Sequence, residues 1–164
     1  MSATLRSRAS AVLFALILSF QTPAMAQSLT TLQVTPSSSQ SESLAFELAD
    51  LDAMDQVTFS TTTIWTDGET TFSGVPLKAL LDKAAARGAV VEMVALNDYK
   101  VSMPLVEVEE FAPIVATRMN GETMSVRDKG PYWVVFPYDQ NSRYQSETIY
   151  SYSIWQLNRL KVVD

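Results

Sequence analysis

Not one of the 164 residues is a cysteine or a histidine. Without them the chain has neither disulfides nor a zinc site of the usual kind, so it must fold on a hydrophobic core alone. With 47% of its residues hydrophobic, that is feasible. The same absence narrows the chemistry. Ser-His-Asp and Cys-His nucleophilic centres are excluded, and so is the side chain that most often serves as a general base near neutral pH.

The N-terminus reads as an export signal. Arg6 and Arg8 precede an apolar run from Ala9 to Phe20, and Ala24-Met25-Ala26 places small residues where a signal peptidase needs them. The apolar run falls short of the roughly 20 residues that span a bilayer, which favours a cleaved signal peptide over residues 1–26 against an uncleaved anchor. The absence of cysteine excludes lipid attachment at the cleavage site. Cleavage leaves 138 residues, enough for one domain, and removes two of the 12 basic residues and none of the 18 acidic ones, so the net charge moves from −6 to −8. That balance argues against nucleic acid and anionic membrane surfaces, both of which are bound through clustered Lys and Arg.

Residues 27–43 read as a flexible polar leader, serine-rich from Ser37 to Ser41, with Thr31 to Val34 as an edge-strand candidate. The domain is placed at 44–164. Its periodicity predicts a strand running into a short helix over Leu44–Met54, then a strand over Gln56–Trp65. Asp67-Gly68 marks a turn and Glu69–Phe72 the returning strand. A helix is expected from Pro76 to Ala86 with Leu77, Leu80 and Leu81 on one face, followed by strands at Val90–Leu96 and Lys100–Met103. A short acidic helix over Leu105–Phe111 and a strand over Pro113–Met119 follow. Asn120-Gly121 then makes a hairpin turn, and strands at Trp133–Phe136 and Ile154–Val163 end the pattern. Met93, Met103, Met119 and Met124 lie on separate segments and read as core filler. These short strands with a few small helices give an α+β domain with a mixed, curled sheet.

Five motifs follow in order: Gly74-Val75-Pro76-Leu77, Tyr99-Lys100-Val101-Ser102-Met103-Pro104-Leu105, Asn120-Gly121-Glu122, Arg127-Asp128-Lys129-Gly130-Pro131, and Trp155 before a terminal strand. In this order, from about Thr58 to Val163, they resemble the oxidoreductase molybdopterin-binding domain, the sulfite oxidase fold. The resemblance implies a metal-binding cysteine on the strand before the Gly-Val-Pro-Leu helix, where this chain has Ser60, Thr61, Thr62 and Thr63. It also implies a basic residue gripping the cofactor phosphate at the end of the pocket, where this chain reads Tyr152-Ser153-Ile154-Trp155. A threonine hydroxyl is a far poorer metal ligand than a thiolate. The expectation is therefore a retained pocket without redox catalysis, with no catalytic or metal-binding residue.

The chain is also similar to exported pterin-binding proteins that pass a reduced-pterin signal to the periplasmic part of a membrane receptor controlling cyclic-di-GMP. That similarity implies a periplasmic protein, a small-molecule pterin in preference to molybdopterin, no tightly bound cofactor, and such a receptor as partner. A pterin needs an aromatic face, an acceptor for its 2-amino edge and donors for its 4-oxo group. The ligand-binding candidates are Trp65, Asp67, Asp98, Tyr99, Ser102, Arg127, Tyr138 and Asp139, with Tyr132, Asn97 and Arg143 as further suppliers of rings and donors. Plainer alternatives stand beside them: Trp65 packing at a hairpin end, Asp67 and Asp98 as turn residues, Arg127 pairing with Asp128. Trp133 and Trp155 fall in apolar strand patterns and are assigned to the core, and Glu107, Glu109 and Glu110 to a solvated helix face. Two other functions stay open: a molybdenum oxidoreductase ligated by Thr61 or Thr62, and an interaction module that binds no ligand.

Overall fold

The computed structural model describes residues 29–37 and 42–164. The expected signal peptide lies outside them, as do residues 38–41 of the serine-rich stretch. Among the described residues, ten strands form two five-stranded sheets rather than one.

The first sheet contains β1 (Leu32–Thr35), β2 (Leu44–Phe46), β5 (Val90–Ala95), β6 (Lys100–Pro104) and β10 (Leu157–Val163), in the order β2-β1-β10-β5-β6. It is mixed, because β1 runs parallel to β10 while its other neighbours are antiparallel. The second sheet is antiparallel throughout. β3 (Val57–Thr62), β4 (Glu69–Pro76) and β7 (Ile114–Met119) lie side by side, with the short β8 (Glu122–Thr123) and β9 (Trp133–Val135) sharing the far flank of β7. Three short helices, α1 (Leu48–Asp52), α2 (Leu77–Lys83) and α3 (Glu147–Ser151), complete the α+β architecture.

Local chemistry explains most of these elements. Along β3 the side chains alternate, Phe59 and Thr61 buried and Thr58, Ser60 and Thr62 exposed, as a half-buried strand requires. Leu77, Leu80 and Leu81 face the core from α2. At the β7–β8 turn Asn120 and Gly121 both have positive φ, 52° and 84°, the geometry that favours this dipeptide between twisted strands. Met93, Met103 and Met124 are buried among the apolar residues.

The structure corrects several expectations. The segment around Thr31–Val34 is not an edge strand, since β1 lies between β2 and β10 with Leu32 and Val34 fully buried. The folded sheet therefore takes in residues assigned to the leader. Helix α2 stops at Lys83, because Ala85 turns left-handed (φ 50°) and the Ala86 N–H reaches back to the Leu81 carbonyl at 2.9 Å, a closing bond of the Schellman type. The acidic helix over Leu105–Phe111 is only a 3-10 turn at Leu105–Glu107. Val108 is extended beyond it, and Glu109 is drawn inward by the Tyr144 hydroxyl at 2.9 Å and by Arg143.

Candidate functional site

Strand β3 ends at Thr62, short of Trp65. The Thr63 hydroxyl accepts the Trp65 N–H at 3.0 Å and bonds the Thr66 hydroxyl at 2.8 Å, forming a tight turn that aims the indole inward. Trp65 then meets Trp133, Tyr138, Tyr150 and Trp155 edge-on, with ring centroids 6.0–6.2 Å apart. Tilted edge contacts of this kind suit the ring quadrupoles and fix each ring relative to its neighbours.

Beside Trp65 opens a cavity of about 410 Å³. One wall comes from the β5–β6 turn, with Ala95, Asn97 and Tyr99, and the other from the end of α3 and the segment after it, with Tyr150, Ser151 and Ser153 to Gln156. The β5–β6 turn is shaped by Asp98, whose φ of 64° is left-handed and whose carboxylate is held by Arg159 of β10. That turn leaves Tyr99 60% exposed at the mouth. Asn97 accepts the Tyr99 N–H at 3.1 Å through its side-chain oxygen, and no protein group among the described residues takes its NH₂. Gln156 braces the opposite wall: its N–H donates to the Lys129 carbonyl at 3.0 Å, its side chain to the Val126 carbonyl at 2.8 Å, and its carbonyl accepts from the Leu96 N–H at 2.9 Å. Among the described residues, no charged side chain lines the cavity.

Of the candidate ligand residues, Trp65 and Tyr99 line this cavity. Tyr138 lies beneath it, 1% exposed, with its hydroxyl bonded to Ser153 and its ionisation pushed up to about 12 chiefly by burial. Asp98 is a turn residue, and Asp67, Ser102 and Arg127 are exposed away from the cavity. The Val126–Asp128 turn carrying Arg127 contributes a backbone carbonyl to Gln156, not its guanidinium to the cavity. Asp139 is engaged elsewhere. Its carboxylate accepts the Thr62 N–H and, at 3.0 Å, the Thr62 hydroxyl, and these bonds hold it below the usual carboxylate range. Tyr132 is buried, its hydroxyl donating to the Thr30 carbonyl at 2.6 Å, and Arg143 pairs with Glu109.

Sequence reasoning assigned Trp155 to the core, whereas it is 38% exposed and lines the cavity. The reason is Gln156, whose φ of 54° breaks the strand alternation, so Ile154 and Leu157 both point inward and Trp155 points out. Tyr150, Ser151, Ser153 and Ile154 were also missed as wall residues. The signal was present in the Tyr150-Ser151-Tyr152-Ser153 stretch, polar and aromatic where a core strand would be aliphatic.

The family model described as the oxidoreductase molybdopterin binding domain matches residues 20–140. The chain belongs to this family. Among solved structures, the sulfane dehydrogenase SoxCD from Paracoccus pantotrophus matches with a TM-score of 0.63 at 20% identity, covering 86% of this chain. The chain spans 40% of the length of that protein, and the likeness is one of fold. A search of curated proteins finds no match.

The residues where the family resemblance places a thiolate do not fit a molybdenum centre. Ser60 bonds Thr71 at 2.8 Å, and Thr61 is fully buried, accepting the Asp139 N–H at 3.0 Å. Thr62 is tied to Asp139 and Thr63 to Thr66. At the phosphate end, Ser153 is bonded to Tyr138 and Ile154 is buried, with no cation among the lining residues. A phosphate there would lack the charged donor it requires.

Proposed function

We propose that this molybdopterin-binding-type domain binds a flat, uncharged, pterin-like ring in the cavity beside Trp65, without redox catalysis. The supporting observation is the lining itself: Trp65, Tyr99, Tyr150 and Trp155 offer ring faces and edges, while Asn97 offers its NH₂ as a donor and the side-chain oxygens of Ser151 and Gln156 serve as neutral acceptors. A ring that stacks on indole and exchanges amide-like hydrogen bonds at its edge matches this set, and a phosphorylated, metal-bearing cofactor does not. The volume of about 410 Å³ lies within the range of roughly 300–1,000 Å³ of small-molecule sites. Residues 1–26 export the protein to the periplasm, where the ligand-loaded form acts on the periplasmic domain of a membrane receptor.

Calorimetric titration with a reduced pterin is the test, alongside metal analysis of protein made in cells that synthesise molybdopterin. Saturable binding with no molybdenum is the expected result. Near-stoichiometric molybdenum would overturn the reading in favour of an oxidoreductase, and a cavity that takes neither would favour an interaction module.

A further inference from the structure

β3 is the edge of its sheet, and a second groove runs beside it. Among the described residues β3 pairs only with β4. Its outward side is identified by Thr62, whose N–H turns away from β4 to Asp139. Backbone groups in a strand point to the same side at every second residue, so Thr58 and Ser60 also face outward. The partner of Ser60 across the ladder agrees, since the N–H and carbonyl of Thr71 are both engaged by Asn120 on the far side. Asp139 thus closes one end of this edge and, among the described residues, leaves two residues' worth of backbone donors and acceptors open.

The groove, about 350 Å³ in volume, is lined by Val57, Thr58 and Phe59. Three consecutive strand residues can line one groove only from the strand's edge, because alternate side chains point to opposite faces. Its other wall carries Phe111, which is 66% exposed, the exposed Glu110, and Glu109, whose carboxylate is held by Tyr144 and Arg143. Glu107 and Asp139 add charge nearby, and Arg143, paired with Glu107 and Glu109, offsets part of it. β3 itself carries none of the lysines, prolines or bulges that usually protect an exposed edge.

We infer that this edge is a docking site for an extended, basic segment of a partner protein, which adds to β3 as a further strand with apolar side chains toward Phe111 and cationic ones toward Glu110 at its acidic rim. Main-chain hydrogen bonds to Thr58 and Ser60 would hold the segment, and the acidic rim would select its sequence. The inference does not depend on ligand binding at Trp65.

The test uses full-length protein without pterin and a short capped peptide of alternating lysine and valine, followed by amide NMR. Shifts and slowed exchange should centre on Thr58 and Ser60, and a glutamate–valine counterpart should not bind. Ser60→Pro removes an outward N–H and leaves the backbone ladder to β4, with Ser60→Ala as the control for the lost side-chain bond to Thr71, and should weaken binding about tenfold. Glu110→Lys, an exposed change that leaves packing alone, should weaken it by a similar factor and reduce its salt dependence. Shifts centred on another edge, equal binding of the acidic peptide, or unchanged affinity in Glu110→Lys would overturn the inference. So would contacts to Thr58 from residues before Leu29, or from a second copy of the chain, in protein without peptide.

Discussion

Thr61 and Trp65 are near neighbours in sequence, and their surroundings are opposites. Around Thr61 the side chains are engaged: the Thr61 hydroxyl takes the Asp139 N–H, and the Asp139 carboxylate takes Thr62. Around Trp65 the rings are packed against one another, yet the Asn97 NH₂ has no protein partner among the described residues and Tyr99 stands exposed at the mouth. The first region has the cross-linked side chains of a structural clamp. The second keeps aromatic surface and polar groups available, which is what a ligand site needs. The family resemblance directs attention to the first region, and the geometry directs it to the second.

The sharpest way to break this contrast is Trp65→Ala. Trp65 contacts four other rings, so its loss should cost roughly 2–3 kcal/mol of stability and also remove pterin binding. Retained affinity in thermal-melt and titration experiments would place the ligand elsewhere.

Alkaline titration is expected to have the next largest effect. Tyr138 and Tyr132 are both pushed up to about 12 by burial, above the ordinary 10.0. Ionisation in the unfolded chain therefore begins first. The stability contributed by these neutral tyrosines is complete below about pH 10 and is lost as pH rises toward 12. Tyr138→Phe should remove part of that alkaline limb in chemical denaturation, and an unchanged limb would show that Tyr138 does not titrate as a buried group.

Trp155→Ala separates ligand binding from folding more cleanly, since the side chain is partly exposed. Pterin affinity should fall about tenfold with a small change in melting temperature, by analogy with the loss of one stacking face. A large loss of stability with unchanged affinity would return Trp155 to the core.

Asp139→Ala should have the smallest effect on binding. With its pKa held low by Thr62, the carboxylate contributes stability above the ordinary carboxylate range, lost as pH falls through the depressed value. The variant should show a shallower acid limb in denaturation and an unchanged pterin affinity. A change in affinity would join the two regions into one site.

The sequence was most readable where one local rule sufficed. Asn120-Gly121 required a left-handed turn, Leu77, Leu80 and Leu81 required a helix face, and Trp133 within an apolar run required burial. The site was partly readable for the same reason. Trp65 and Tyr99 stood out as aromatics beside turn residues, and both line the cavity. Asp139 did not announce its partner, because its bonds to Thr61 and Thr62 span 78 and 77 residues of chain.

Composition alone determined that this chain folds without disulfides and lacks the thiolate and imidazole on which most metal and nucleophilic chemistry relies. Motif order determined the family, since short signals in sequence survive wherever the backbone needs a turn or a buried face. Only the tertiary structure decided that β1 sits inside a sheet, that Tyr138 is beneath the cavity, and that Trp155 turns outward at Gln156. Each of those outcomes depends on which strands meet and in what register. A single left-handed residue or one long-range pairing can reverse the face that a side chain presents, and neither leaves a local signature.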